Sequence, residues 1–273
     1  MCRLYIFHAN EPTKVECPLI YAQNALMAQS AEDQGGLSHT HGWGIATYDD
    51  DFPKADRRAW AAYEGEQFER AATRIYSKTV LAHVRRATIG KPALRNTHPF
   101  LHDFWAFAHN GTIPGFKLFK DKMITEIDEA YRPSILGETD SEHVFYFILT
   151  YCQQFPNNPV IENIREVIRK IYQWSEEHAP GKPMGLNMIL TDGQNIYGSR
   201  IGRSLFYAEH KGVYSCEICG FPHIHHTPSV SYRAIDIASE PITSDDWIEI
   251  PEQSLFHVDN RFKLQVNALK MKE

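Results

Sequence analysis

The sequence contains no apolar run approaching the ~18 residues that a membrane-spanning helix needs, which excludes a conventional transmembrane protein. It also has no surplus of positive charge. Its 28 Lys and Arg are outnumbered by 34 Asp and Glu, for a net charge of −6. They are scattered rather than clustered, so no electrostatic footprint for nucleic acid is visible. The start of the chain has neither the basic region nor the apolar segment of a secretory signal, so a cytoplasmic location is expected. The cysteines, at positions 2, 17, 152, 216 and 219, are odd in number and irregularly spaced. That argues against a disulfide framework. With no internal repeat, low-complexity tract or linker, the 273 residues are expected to form a single domain spanning 1–273.

The remainder is an ordinary globular composition, 43% hydrophobic and 23% charged. Alternation predicts strands over 3–9, 42–50, 59–66, 79–85 and 103–111, with an acidic turn "DDDFPKADRR" between the second and third. Short helices are expected near 21–31 and 67–77. Thr139-Asp140-Ser141-Glu142 reads as a capping box opening a helix whose apolar residues are Val144, Phe147, Ile148 and Tyr151. Ile161, Ile164, Ile168, Ile171 and Trp174 mark a second amphipathic helix. Six short strand candidates follow, including "GVYSCE", two of them joined at Asp192-Gly193-Gln194-Asn195. Strands, two long helices and strands again predict a layered α+β protein.

One residue stands out chemically. If the initiator is trimmed, Cys2 carries a thiol and a free α-amine on one Cα. A thiol titrates near ~8.5 and an α-amine near ~7.7–8.0, so the amine can take the thiol's proton. The plainer reading is a small apolar residue entering a strand. A nucleophile would need an oxyanion hole, which Asn110-Gly111 can supply through a side-chain amide and a backbone N–H. The same dipeptide also reads as a turn. In "HVRRATIG", Arg85 and Thr88 lie at the mouth of a strand, where a guanidinium can clamp a carboxylate or simply be solvated. Asp140 can grip an ammonium or favour a helix N-terminus. His39, His41 and His98 are read as residues that shape loops, not as ligands.

The order of these pieces along the chain resembles the class II glutamine amidotransferases, members of the N-terminal nucleophile hydrolases. The matching segments are "MCR", "GWGIA", "HVRRATIG", "NTHPF", "HNGTI" and "GETDSE", with "SRIG" and "DIASEPI" similar to standalone members. The resemblance implies a four-layer αββα sandwich with two antiparallel sheets. It implies Cys2 as nucleophile with its own α-amine as base, and Asn110 and Gly111 as oxyanion hole. Arg85 would bind the substrate α-carboxylate, Asp140 the α-ammonium, and Thr88 would line the γ-glutamyl site. Arg86 and Ile89 depart from the Trp and His common at those places in the family. The implied reaction hydrolyses the γ-amide of glutamine through a cysteine thioester, needs no cofactor, and leaves any ammonia acceptor to a separate synthase subunit. An alternative is hydrolysis of a γ-glutamyl amide of a thiol compound, as in ergothioneine or glutathione pathways.

"SCEICGFPHIHH" lies outside this account. Cys216 and Cys219 have the spacing of half a zinc site, with His223, His225 and His226 just beyond. Strand alternation through this segment would put the two thiols on opposite faces unless the chain turns. The expectation is therefore no metal, with these five residues as a weak candidate set and a non-enzymatic zinc-dependent binding module as the lowest-ranked alternative.

Overall fold

The computed structural model describes residues 2–213, 215–224 and 231–271. None of the described helices is long and apolar enough to cross a membrane. The chain runs β1 (Arg3–Thr13), α1 (Leu26–Ala31), β2 (Trp43–Tyr48), β3 (Pro53–Arg58), α2 (Gln67–Ala72), β4 (Ser77–Val84), β5 (Phe100–His102) and β6 (Trp105–Thr112). Three helices follow: α3 (Phe116–Glu126), α4 (Asp140–Gln154) and α5 (Val160–His178). Then come β7 (Gly185–Thr191), β8 (Ile196–Arg200), β9 (Phe206–Lys211), β10 (Arg233–Ala238), β11 (Ile248–Glu249), β12 (Ser254–Val258) and β13 (Leu264–Ala268). They form two antiparallel sheets, ordered β11-β9-β10-β1-β4-β2-β3 and β13-β12-β8-β7-β6-β5.

Three cores make the layers. Period-2 alternation along β1 sends Leu4 and Ile6 to one face and Tyr5 and Phe7 to the other. Leu4 and Ile6 join Leu81, Ile235, Ile237, Ala106, Ala108 and Ile189 between the sheets. Tyr5 and Phe7 pack with Leu26 of α1 and Phe68 of α2 outside the first sheet. Phe107, Leu186, Met188 and Leu190 face the opposite way, against α3, α4 and α5. The result is helix, sheet, sheet, helix: the predicted αββα sandwich.

Local differences have physical reasons. The expected acidic turn is largely β3, an edge strand whose Pro53 and charged residues suit an unpaired edge, and 59–66 is not a strand. Asn110-Gly111 is not a turn. Both residues lie inside β6 and pair with Asn187 and Leu186 of β7. Of the expected strand "GVYSCE", Tyr214 lies outside the described residues, and from Cys216 the chain turns: Cys216–Gly220 is folded back by the Gly220 N–H to Cys216 carbonyl bond of 2.8 Å. α3 was not visible in the sequence, because its charged and apolar residues are poorly segregated.

The cap of α4 forms only in part. Thr139 accepts the Glu142 N–H at 3.3 Å, but the Glu142 carboxylate reaches beyond the cap to the N–H groups of Leu136 (3.1 Å) and Gly137 (2.6 Å). The expected hairpin at 192–195 is present, with Asp192 accepting from the backbones of Gln194 and Asn195.

Many histidines are held neutral in these cores. Burial lowers His83 to about 3 and His8, His39 and His143 to about 4. The unfolded chain, with histidine near ~6.5, binds more protons than the native state between those values, so stability is full above pH ~6.5 and falls below it. At pH 5, His83 alone costs about 2 kcal/mol, a large fraction of a domain's ~5–15 kcal/mol. His210, raised by Asp236 against the opposing effect of burial, acts with the opposite sign and only partly offsets this. Urea unfolding followed by circular dichroism should show the midpoint dropping steeply between pH 6.5 and 4, whereas a flat profile would contradict neutral burial.

Candidate active site

The register of three strands builds the site. Arg3 pairs with Val84, so Cys2 lies beside the Arg85-Arg86 segment that continues β4. The Cys2 thiol contacts Arg86 twice, at 3.4 Å from its N–H and 3.5 Å from its carbonyl. On the other side Tyr5 pairs with Ala238, which brings Leu4 opposite Ser239 and Arg3 opposite Glu240. The parity that sends Leu4 and Ile6 between the sheets also applies to Cys2, Ser239, Arg85 and, on the facing sheet, Asn110. Asn110 Nδ2 and Ser239 Oγ meet across the sheets at 3.2 Å, and Ser239 Oγ also accepts the Leu4 N–H at 3.0 Å.

Arg3 points the other way and anchors the segment. Its guanidinium lies 2.5 Å from Glu240 and 2.7 Å from Asp33, and its Nη1 donates to the Cys2 carbonyl at 3.1 Å. Asp33 also contacts His39 at 3.0 Å. Burial pushes the Cys2 thiol above its ordinary value, opposed by the Arg86 N–H and the Arg85 charge and reinforced by Asp140. The thiol therefore needs a nearby base to ionise at neutral pH. Met1 lies outside the described residues.

Arg85 is not a solvated surface arginine. It is 2% exposed, and its guanidinium donates to the carbonyls of Ile89 (2.8 Å), Gly90 (3.2 Å) and Lys91 (3.3 Å), curling the following loop around itself. Thr88, in that loop, lies 3.0 Å from Thr112 at the end of β6. Asp140, at the head of α4, accepts the Ile113 N–H at 3.0 Å and the Ser141 N–H at 2.9 Å. It thus ties the helix N-terminus to the chain leaving β6. Gly111 is required by packing: a Cβ there would lie 2.0 Å from the Gly185 carbonyl oxygen.

The three loop histidines hold loops. His41 Nδ1 accepts the Ala87 N–H at 2.9 Å, His39 is fixed by Asp33, and His98 lies 4.2 Å from His83, ring to ring. Reading the sequence missed Ser239, Arg3 and Asp33. "DIASEPI" contained Ser239, but its part in the site depends on strand pairing across more than two hundred residues. Cys216, Cys219 and His223 lie together on the outer side of the first sheet, with Cys17. His225 and His226 lie outside the described residues.

The model of the family "Glutamine amidotransferases class-II" matches residues 1–260. The chain belongs to the class II glutamine amidotransferases. This is a family of enzymes, and the N-terminal nucleophile hydrolase sandwich expected from the sequence is its fold. A Saccharomyces cerevisiae relative named "Probable glutamine amidotransferase DUG3" is 27% identical, covering 94% of this chain and 82% of its own. The "Gamma-glutamyl-hercynylcysteine sulfoxide hydrolase" of Mycobacterium tuberculosis is 35% identical over 29% of this chain and 34% of its own. The solved structure of a "glutamine aminotransferase class-II domain protein" from Silicibacter pomeroyi superposes with a TM-score of 0.67 at 20% identity. It covers 99% of this chain and 100% of the other, a likeness of fold.

Two substitutions test the scaffold of this family member. Arg3→Met leaves Asp33 and Glu240 buried without their cation and should lower stability by about 3–5 kcal/mol, read from urea unfolding at pH 7.5. Gly111→Ala should fail to fold or lose several kcal/mol, because backbone rather than a flexible side chain blocks the new methyl. Wild-type melting behaviour in either variant would refute its part of the scheme.

Proposed function

We propose that the chain is one glutaminase-type domain that hydrolyses the γ-amide of glutamine through Cys2 after removal of Met1. The observation that carries this reading is that Cys2, Arg85, Asn110 and Ser239 share the inter-sheet side of facing strands, with Asn110 touching Ser239 across the sheets. The freed α-amine, with a pKa near ~7.7–8.0, takes the thiol proton. The thiolate attacks the γ-carbonyl carbon, ammonia leaves with a proton returned by the amine, and water then hydrolyses the thioester to glutamate. Arg85 and Asp140 hold the α-carboxylate and α-ammonium, and Thr88 lines the path between head and amide. The ammonia acceptor belongs to a separate synthase subunit.

Asn110 is suited to the oxyanion hole. Its buried Oδ1 has no hydrogen-bond partner. Exchanging amide O and N, which are alike in shape, lets Oδ1 accept the Ser239 hydroxyl and aims Nδ2–H at the open position. An oxyanion would then receive that donor and the Gly111 N–H. Ser239 becomes the residue that orients the amide.

Hydrolysis of a γ-glutamyl amide with a larger leaving amine is the second reading, favoured by the hydrolase activity for which the mycobacterial relative is named. The same residues would hold the γ-glutamyl head, so a substrate panel separates the two readings.

Glutamate release should be measured on glutamine and a series of γ-glutamyl amides, with intact mass verifying loss of Met1. Cys2→Ala should abolish turnover on every substrate, and activity in protein that retains Met1 would refute the amine as base. On the best substrate, Arg85→Ala should chiefly raise KM. Asn110→Ala should lower kcat by about 10²–10³-fold. Ser239→Ala should lower kcat roughly fivefold with KM unchanged, the equivalent of about 1 kcal/mol for one orienting hydrogen bond. A Ser239→Ala variant altered only in stability would remove that residue from the mechanism.

A further inference from the structure

Three of the five cysteines gather away from Cys2. Cys17, Cys216, Cys219 and His223 each offer one ligand atom, and these atoms all lie within 4.8 Å of one another. They come from two segments distant in sequence, the stretch after β1 and the β9–β10 connection, and Cys17, Cys216 and His223 line a cavity of about 930 Å³ outside the first sheet. All three thiols are free. Three soft sulfurs and one imidazole are the donor set of a tetrahedral zinc site.

The local backbone fits a metal knuckle. In Cys216-Glu217-Ile218-Cys219-Gly220 the chain turns back on itself, with Gly220 at φ 78° closing the turn. That reversal resolves the objection that alternation would separate the two thiols. The Ile218 N–H points at Cys216 Sγ at 3.4 Å, a donor suited to a thiolate. Cys219 Sγ lies 3.3 Å from His223 Nε2. Bonds of about 2.3 Å to sulfur and about 2.0–2.1 Å to nitrogen put tetrahedral ligands about 3.5–3.8 Å apart. The group needs to contract by at most about 1 Å to accept the ion.

Phe221 is 72% exposed, and Val213 and Ile218 also face solvent, so the turn around Cys216 and Cys219 buries no large apolar side chain, whereas Ile224 and Tyr232 further along the connection pack on the outer core. One backbone bond, Lys14 N–H to the His223 carbonyl at 2.9 Å, joins it to the end of β1.

We propose that Cys17, Cys216, Cys219 and His223 bind a structural zinc ion that fastens the β9–β10 connection to the segment following β1. The ligands are thiolates and a neutral imidazole, so loading releases the thiol protons to solvent and involves no redox change. All four positions are occupied by protein, which makes the site structural and distinct from the Cys2 chemistry on the opposite face of the sheet.

The test uses full-length protein purified under reducing conditions. Elemental analysis should find about one zinc ion per chain. Cys17→Ser, Cys216→Ser and Cys219→Ser should each lose it, and Cys152→Ser should keep it. Cobalt(II) exchanged into the wild-type protein should give the intense visible bands of a tetrahedral thiolate site, a readout that holds even if the serine variants fail to fold. Stripping zinc should lower Tm, and its return should restore it. The proposal is overturned if reduced wild-type protein neither holds zinc nor develops the cobalt spectrum. It is also overturned if Cys17→Ser retains zinc in full, or if the metal-free native protein instead pairs two of these cysteines in a disulfide.

Discussion

The site depends on holding the second residue of a chain still, and Arg3 is what holds it. A chain end normally frays because few contacts oppose its conformational entropy. Here the next residue places its guanidinium between two buried carboxylates, Asp33 and Glu240, while donating to the Cys2 carbonyl. The carboxylates come from the α1–β2 connection and from the residues after β10, so three separate parts of the chain must be in place before the cation is satisfied. A buried charge with that many partners tolerates little displacement. The thiol inherits that rigidity through one peptide unit.

The same strand serves both faces of its sheet. Odd residues of β1 carry the anchor and the outer core; even residues carry the thiol and the core between the sheets. Asn110 reaches the nucleophile's neighbourhood only because the second sheet packs face to face across that inner core. Gly111 lets β6 approach β7 without a side chain between them. The chemistry and the packing therefore share their constraints, and the site has little room to move independently of the sandwich.

The outer face has a different problem. Its helices are short, and the turn around Cys216 and Cys219 leaves Ile218 and Phe221 exposed to solvent. A metal-bound knuckle is an economical way to fix such a segment, because a few coordinate bonds replace a hydrophobic core. It would also define one wall of the cavity beneath, on the far side of the sheet from Cys2.

The sequence by itself determined a layered α+β protein, because period-2 alternation and the long apolar stripes of α4 and α5 are local and strong. The four-layer sandwich and the ordered set of Cys2, Arg85, Thr88, Asn110, Gly111 and Asp140 were legible only through the resemblance to the class II glutamine amidotransferases. Local pattern misread β3, whose charges suit an edge strand as well as a turn, and it placed Asn110-Gly111 at a turn because that dipeptide is a strong turn signal that strand pairing here overrides. Only the tertiary structure decided that Arg85 is buried in a collar of carbonyls, that Ser239 faces Asn110, and that Arg3 bridges Asp33 and Glu240. Only it brought Cys17 to Cys216 and Cys219. Each of these depends on antiparallel register between strands far apart in the chain, and register is fixed by collective burial that no local pattern records.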